Sequence, residues 1–115
     1  MAIIVKTRYP EELINQIREG IESREIASWL CDSDGDFTSS EIFWKNHAWF
    51  RSYIEAEGIV FAIIGRKDSL LSLKEYSFYH SRFTEMLLTL FSHDISEIKV
   101  QSPFVNNKDT KKIEG

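Results

Sequence analysis

Cysteine, proline and glycine are scarce in this chain: of its 115 residues, one is cysteine, two are proline and five are glycine. The single cysteine, Cys31, cannot form a disulfide within the chain, and the C-x-x-C spacing of many zinc sites is absent. The motif Gly-x-Ser-x-Gly, which places a serine nucleophile on a sharp turn, is absent as well. The sequence therefore indicates neither a disulfide scaffold nor these zinc and serine-nucleophile motifs.

Long apolar runs are also lacking. None approaches the roughly 18 residues that a membrane-spanning helix needs, and the apolar segment Ala2–Val5 is too short for the core of a signal peptide. We therefore expect a soluble cytoplasmic protein without a membrane partner. Its length predicts a single domain over residues 1–104, and the polar residues 105–115 are expected to form a mobile tail.

Basic residues are outnumbered, with 14 Lys and Arg against 18 Asp and Glu and a net charge of −4. The broad positive surface that nucleic-acid binding requires is not indicated, so no nucleic-acid partner is expected. An acidic protein more readily meets a basic protein partner.

The segment from Gly58 to Asp94 dominates the pattern that is present. Gly58–Gly65 is an unbroken apolar run between two glycines, typical of a strand buried within a sheet. A helix is predicted over Leu73–Phe91, because Ser72 and Glu75 have the spacing of a capping box. Its apolar arc consists of Tyr76, Tyr79, Phe83, Met86, Leu87, Leu90 and Phe91.

The other elements complete an α+β pattern. A first helix is predicted to begin at Pro10, because proline suits the first helical position. Strands are predicted over Ala2–Lys6, Ile26–Asp32, Phe37–Ser39, Ala48–Glu55 and Ile95–Gln101. The order β-α-β-(β)-β-β-α-β predicts a two-layer sandwich, with a mostly antiparallel sheet of about five strands and two helices on one face. A variant of the ferredoxin-like arrangement, with the hairpin at residues 32–36 as an addition, is one form of it.

The acidic turn is a weak candidate metal site. Asp32, Asp34, Gly35 and Asp36 match the first five positions of a calcium-binding EF-hand loop, D-x-D-G-D. Phe37 then replaces the required glycine, and Phe43 replaces the bidentate glutamate. An exposed hairpin turn explains the pattern better, so no metal and no cofactor is predicted.

Two histidines are weak catalytic candidates. His80 lies within the apolar arc of the second helix, where it could act as a general base or simply be hydrogen-bonded at the margin of the core. The second interpretation, a hydrogen-bonded histidine at the margin of the core, is preferred. His47 lies in an aromatic segment. A hydrolase would combine His80 or His47 with the Asp32, Asp34 and Asp36 carboxylates in one compact site.

Aromatic residues supply the other candidate contacts. Phe78 is predicted to lie exposed on the polar face of the second helix beside Arg82. A single exposed phenylalanine is ordinary, but aromatic residues and arginine are also enriched in interface hot spots, so both interpretations stand. The alternation of residues 48–55 places Trp49, Arg51 and Tyr53 on the open sheet face, with Trp29 beside them if its register agrees. This stripe would pack under the loop at residues 40–46 or against a second copy of the chain.

Three functional hypotheses follow. The first is a non-catalytic binding protein, in the form of an acidic inhibitor or immunity-type module for a basic protein partner. Its predicted contacts are Asp32, Asp34, Asp36, Trp49, Arg51, Tyr53, Phe78 and Arg82. The second is a small metal-dependent or histidine-based hydrolase, and the third is a small-molecule-binding dimer. The first is preferred over an enzyme because no catalytic constellation is evident, and a homodimer is expected because exposed aromatic patches are uncommon on monomers.

Overall fold

The computed structural model describes residues 2–103 and 113–114. Of the predicted tail, residues 105–112 and 115 lie outside this part of the chain. The elements, in chain order, are β1 (Ala2–Lys6), α1 (Pro10–Glu22), β2 (Trp29–Cys31), β3 (Phe37–Ser39), β4 (Ala48–Glu55), β5 (Gly58–Gly65), β6 (Leu71–Ser72), α2 (Leu73–Phe91), β7 (Glu97–Val100) and β8 (Ile113–Glu114).

Six strands form one antiparallel sheet in the order β2-β3-β4-β5-β1-β7, and β6 pairs with β8 in a separate parallel pair. The predicted α+β sandwich is confirmed, with six strands rather than about five. The four strands β4-β5-β1-β7 and the two helices are connected as β-α-β-β-α-β, which is the ferredoxin-like connection. The β2–β3 hairpin extends this sheet beyond β4.

The register divides the sheet into two faces. Ile3 pairs with Phe61, and Phe50 pairs with Ile63 on the other side of β5, so these side chains share one face. Ile3, Phe50 and Phe61 belong to the same core cluster as apolar side chains from both helices. The two helices therefore cover this face, as the sequence predicts.

Helix α2 supplies the centre of the core. Its start is fixed by the predicted capping box: the amide of Glu75 donates to Ser72 Oγ and the amide of Ser72 donates to Glu75 Oε1, at 3.1 and 2.9 Å. Phe83 is fully buried, and its ring centroid lies 4.7 Å from that of Phe50 and 4.9 Å from that of Phe61. Neither helix in the described residues is long and apolar enough to cross a membrane.

Two local expectations are wrong. The second strand is only Trp29–Cys31, shorter than predicted, and Trp29 is 2 % exposed with its ring 4.9 Å from that of Phe83. Trp29 therefore belongs to the core and not to the open sheet face. Leu90, placed in the buried arc of α2, is 49 % exposed and lies at the edge of that arc, whereas Phe91 is partly buried against the core.

Substitution of Phe83 by alanine is expected to lower the free energy of unfolding by about 3–5 kcal/mol, because it leaves a cavity among packed aromatic rings. Leu90→Ala, on the same helix, is the matched control and should cost less than about 1 kcal/mol, as exposed positions do. Denaturant melts of both variants measure the difference. Equal midpoints would contradict the assignment of Phe83 to the centre of the core.

Candidate functional site

A cleft of about 700 Å³ lies at the amino-terminal end of α2. The turn after β3, the loop between β5 and β6, and the first turn of α2 form its walls. Its lining residues are Phe43, Trp44, His47, Arg66, Ser69, Leu70, Ser72, Lys74 and Glu75. It combines charged and aromatic side chains, and its volume is typical of small-molecule sites.

Glu75 is the buried centre of this cleft, with 6 % of its surface exposed. One carboxylate oxygen, Oε1, accepts the amide of Ser72 that completes the capping box. The other, Oε2, accepts hydrogen bonds from His47 Nδ1 at 2.6 Å and from Arg66 Nη2 at 3.0 Å. The local signal that begins the helix therefore also places a carboxylate where two distant side chains meet.

The charge of Glu75 is stabilised by these contacts. Burial raises the pKa of the carboxyl group, but the hydrogen bonds from Ser72 and His47 and the charge of Arg66 outweigh it, so the pKa of Glu75 lies below its ordinary value. Glu75 is therefore an ionised acceptor, which makes Nδ1 of His47 the donor. In neutral His47, the lone pair is then on Nε2.

A histidine oriented by a carboxylate is the arrangement of a general base, and such a base needs a nucleophile within hydrogen-bond reach. Ser69 and Ser72 both line the cleft. The Ser72 hydroxyl is already the cap acceptor for the Glu75 amide. Within the described residues, no hydrogen bond joins His47 to a serine. The His47–Glu75 pair therefore has no serine hydroxyl bonded to it as a nucleophile.

The rim of the cleft is defined here by two apolar side chains of the turn after β3: Phe43, which lines the cleft, and its neighbour Ile42. Ile42 is 88 % exposed, and its neighbour Phe43 is 82 % exposed. The turn that bears them is held in place, because the amides of Trp44 and Lys45 donate to the Glu41 carbonyl at 2.9 and 2.8 Å. These side chains therefore project from an ordered turn.

Trp44 fixes the same turn to α2. Its ring stacks on Phe78 with 4.3 Å between centroids, and its carbonyl accepts the Tyr79 hydroxyl. Phe78 is therefore half-buried rather than exposed, because the turn covers it. Arg82 lies beside it as predicted, with its guanidinium carbon 5.6 Å from the Phe78 ring centroid.

The acidic turn is built by its own hydrogen bonds. Asp32 Oδ1 accepts the amides of Asp34 and Asp36 at 3.0 and 2.9 Å, and Gly35 adopts a φ of +83° that favours glycine. Oxygen atoms of Asp32, Asp34 and Asp36 lie within 4.8 Å of one another. The buried Asp36 carboxylate accepts two hydrogen bonds from Arg51, at 3.0 and 2.8 Å. Arg51 supplies a positive charge beside the turn. The hydrogen bonds within the turn and the ion pair with Arg51 together explain why acidic residues occupy its alternate positions.

The predicted open-face stripe is present on that face. Trp49 is half-buried, while Arg51 and Tyr53 are exposed. On β5, the residues paired with this stripe are Val60, Ala62 and Ile64. The turn at residues 40–46 packs on α2, so it is not the cover of this stripe. Arg51 joins the stripe to the acidic turn, two features that the sequence analysis treated separately.

His80 is remote from these groups. It is 2 % exposed, and Nδ1 lies 2.9 Å from the Tyr76 carbonyl. Burial lowers the pKa of His80 to about 4, against the opposing effect of that hydrogen bond. The carboxylates proposed as its catalytic partners belong to the β2–β3 turn, and none of them bonds to it in the described residues.

Sequence reasoning missed Arg66 and Glu75 as members of the cleft. Glu75 was recognised only as a helix cap, because its bonds to His47 and Arg66 span 28 and 9 residues. The available signal was the capping box itself, which leaves the second carboxylate oxygen of Glu75 free for another donor.

Glu75→Gln is expected to lower the free energy of unfolding by about 1–3 kcal/mol at pH 7, because hydrogen bonds to a charged acceptor are lost while the cap is kept. The lowered pKa of Glu75 gives a stabilisation that is complete above its unfolded-state pKa and disappears as the pH falls through its folded-state pKa. The difference between wild type and variant should therefore shrink in acid. Denaturant melts over a pH series measure it, with Glu85→Gln as the exposed control. A difference that does not change with pH would contradict an ionised Glu75.

No protein-family model, curated protein or solved structure matches this chain. Function is therefore argued from the geometry of its surfaces.

Proposed function

We propose that this chain is a non-catalytic protein-binding module that contacts its partner through the rim of the cleft. The observation that carries the proposal is the exposure of Ile42 and Phe43, at 88 % and 82 %, on a turn fixed by hydrogen bonds. Contiguous exposed apolar surface of this kind is a mark of a protein interaction site. A preformed turn also lowers the entropy lost when a partner binds.

The chemistry of the rim suggests the kind of contact. Leu70, which is 54 % exposed, lies across the cleft and adds apolar surface. The exposed cations Arg66 and Lys74 flank it, whereas the acid of the cleft, Glu75, is buried and bonded. This surface suits a partner that inserts an apolar side chain next to acidic residues.

The sequence predicts a basic protein partner, and such a partner would bind a different surface of the chain. A groove of about 560 Å³ between α1 and β4 is lined by Glu11 and Glu55, together with one cation, Arg18, whose Nη2 donates to the Gly35 carbonyl. None of the ion pairs in the described residues involves these two glutamates. An inhibitor or immunity-type role for a basic protein would use this groove. The cytoplasmic location remains a prediction from the sequence, which has neither a signal-peptide core nor an apolar run long enough to span a membrane.

A histidine-based hydrolase is the second candidate, and the 2.6 Å bond between His47 and Glu75 favours it. It uses the same cleft as the binding proposal. The two differ in which side chain matters: a hydrolase requires Nε2 of His47, whereas a binding module requires the apolar rim.

A photo-crosslinking amino acid at position 43 is expected to capture a protein partner in cells of the organism that carries the gene. The same label at Asn15, which lines the groove between α1 and β4, tests that surface, and at Leu90 it is the control. With the captured partner purified, Phe43→Ser should weaken binding at least about 30-fold, the effect of a hot-spot residue. His47→Gln, which keeps a polar side chain in the cleft, should weaken binding far less than Phe43→Ser.

The outcomes separate the proposals. Capture at Asn15 alone would move the binding surface to the groove between α1 and β4. Equal affinity of wild type and the Phe43→Ser variant would refute the rim. Hydrolysis of a bound molecule that His47→Gln abolishes and Phe43→Ser preserves would establish the enzyme instead.

We also propose that two copies pair through the open sheet face. Trp49, Ala62 and Ile64 are half-buried there, and Tyr53 is exposed, within the described part of the chain. Both helices lie on the other face, so a second copy can cover this stripe with two-fold symmetry.

Light scattering over a concentration series is expected to give twice the chain mass of 13.5 kDa. Ile64→Glu should shift the mass to one chain, because it places a charge beside Trp49 at the apolar end of the stripe. Ser81→Glu, at an exposed position of α2, is the control and should leave the mass unchanged. A single-chain mass for the wild type at high micromolar concentration would exclude this dimer.

A further inference from the structure

A second cavity, of about 700 Å³, lies along the side of α2 that faces the end of β7. Tyr76, His80, Thr84 and Leu88 line it at successive turns of the helix, and Val100 and Pro103 line it from the other side. Leu88 and Val100 are each about half exposed. The groove is thus an open, mainly apolar site of the size that small molecules occupy.

Two polar atoms in this lining are buried without a hydrogen-bond partner. They are Nε2 of His80 and Oγ1 of Thr84. The only other such side-chain atom in the described residues is Nε of Arg18, which lies outside this groove. Native structures rarely leave buried polar atoms unpaired, so two in one groove point to a missing partner.

The orientation of His80 is fixed by its neighbours. Its ring stacks on Tyr76 with 3.7 Å between centroids and meets the Phe50 ring nearly edge-on at 5.1 Å. Nδ1 lies 2.9 Å from the Tyr76 carbonyl, which has no proton to give, so Nδ1 donates. In the neutral ring, Nε2 is therefore an acceptor that needs a donor.

Thr84 completes a matched pair of groups. It lies four residues after His80, so the two side chains are neighbours on one helix face, about 5–6 Å apart at Cβ. Its hydroxyl can donate a hydrogen bond as well as accept one. One alcohol oxygen on a ligand can therefore donate its proton to Nε2 and accept the proton of Oγ1.

An anionic head group does not fit this pair. A carboxylate has no proton to donate to Nε2, and Glu85, which also lines the groove, would repel it. Burial lowers the pKa of His80 to about 4, so the ring does not supply a compensating positive charge at neutral pH.

We propose that this groove binds a neutral, largely apolar molecule with a hydroxyl head, which donates to His80 Nε2 and accepts from Thr84 Oγ1. The site is separate from the protein-binding rim and does not depend on it. Its apolar walls, with Leu88 and Val100, hold the hydrocarbon part of the ligand.

Titration of the full chain with 1-octanol, followed by NMR, tests the proposal. We expect saturable shifts of the Leu88 and Val100 methyl signals and a shift of the His80 Nε2 nitrogen signal. Heptyl methyl ether, an isomer without a donor proton, and octanoate, which is anionic, should both bind more weakly. Thr84→Val should weaken octanol binding by about two- to tenfold, the effect of one hydrogen bond.

Further variants make the test specific. His80→Phe keeps an aromatic ring and should also weaken binding, while Ser81→Ala removes a neighbouring hydroxyl that is bonded to the Ser77 carbonyl and should have no effect. Absence of saturation up to the solubility of octanol would overturn the proposal, and would leave water as the partner of the two atoms. Equal affinity for the ether or for octanoate, or unchanged binding by Thr84→Val, would also overturn it.

Discussion

The packing of Phe83 against aromatic rings from four strands is the interaction on which the rest of this structure depends. Its ring contacts Trp29, Phe37, Phe50 and Phe61, which come from β2, β3, β4 and β5, at centroid distances between 4.7 and 5.9 Å. These contacts fix both the position and the rotation of α2. The two cavities on this helix, the cleft at its first turn and the groove along its side, are set by that one packing arrangement.

Much of the fold could be predicted because its signals are local. Gly58–Gly65 and Leu73–Phe91 have the predicted bounds, since an apolar run and a capping box are properties of neighbouring residues. Trp29 shows the limit of that reasoning. Both faces of its segment are partly apolar, so the alternation does not decide which face is buried. The pairing of Trp29 with Ser39 across the hairpin decides which face of the strand is buried. That pairing is a contact between strands, so the pattern within one strand does not reveal it.

The candidate cleft could not be predicted because its contacts are distant in sequence. His47 meets Glu75 across 28 residues, and Trp44 covers Phe78 across 34. Helix periodicity places Phe78 on the polar face correctly, but it does not reveal that a turn after β3 lies over that face. The same limit applies to Arg51, whose place on β4 was predicted while its bond to Asp36 was not.

Burial disfavours the charged form of both ionisable groups at these sites, Glu75 and His80, yet only Glu75 keeps its charge, although the two lie on one helix and each is more than nine-tenths buried. Glu75 has donors on both oxygens and a guanidinium beside it, so its charge is kept. His80 has only the Tyr76 carbonyl on one nitrogen and aromatic rings around it, so burial removes its charge. Because a buried charge is stable only with partners, the cleft is a polar environment and the groove a neutral one. A single helix thus presents two surfaces that suit chemically different partners.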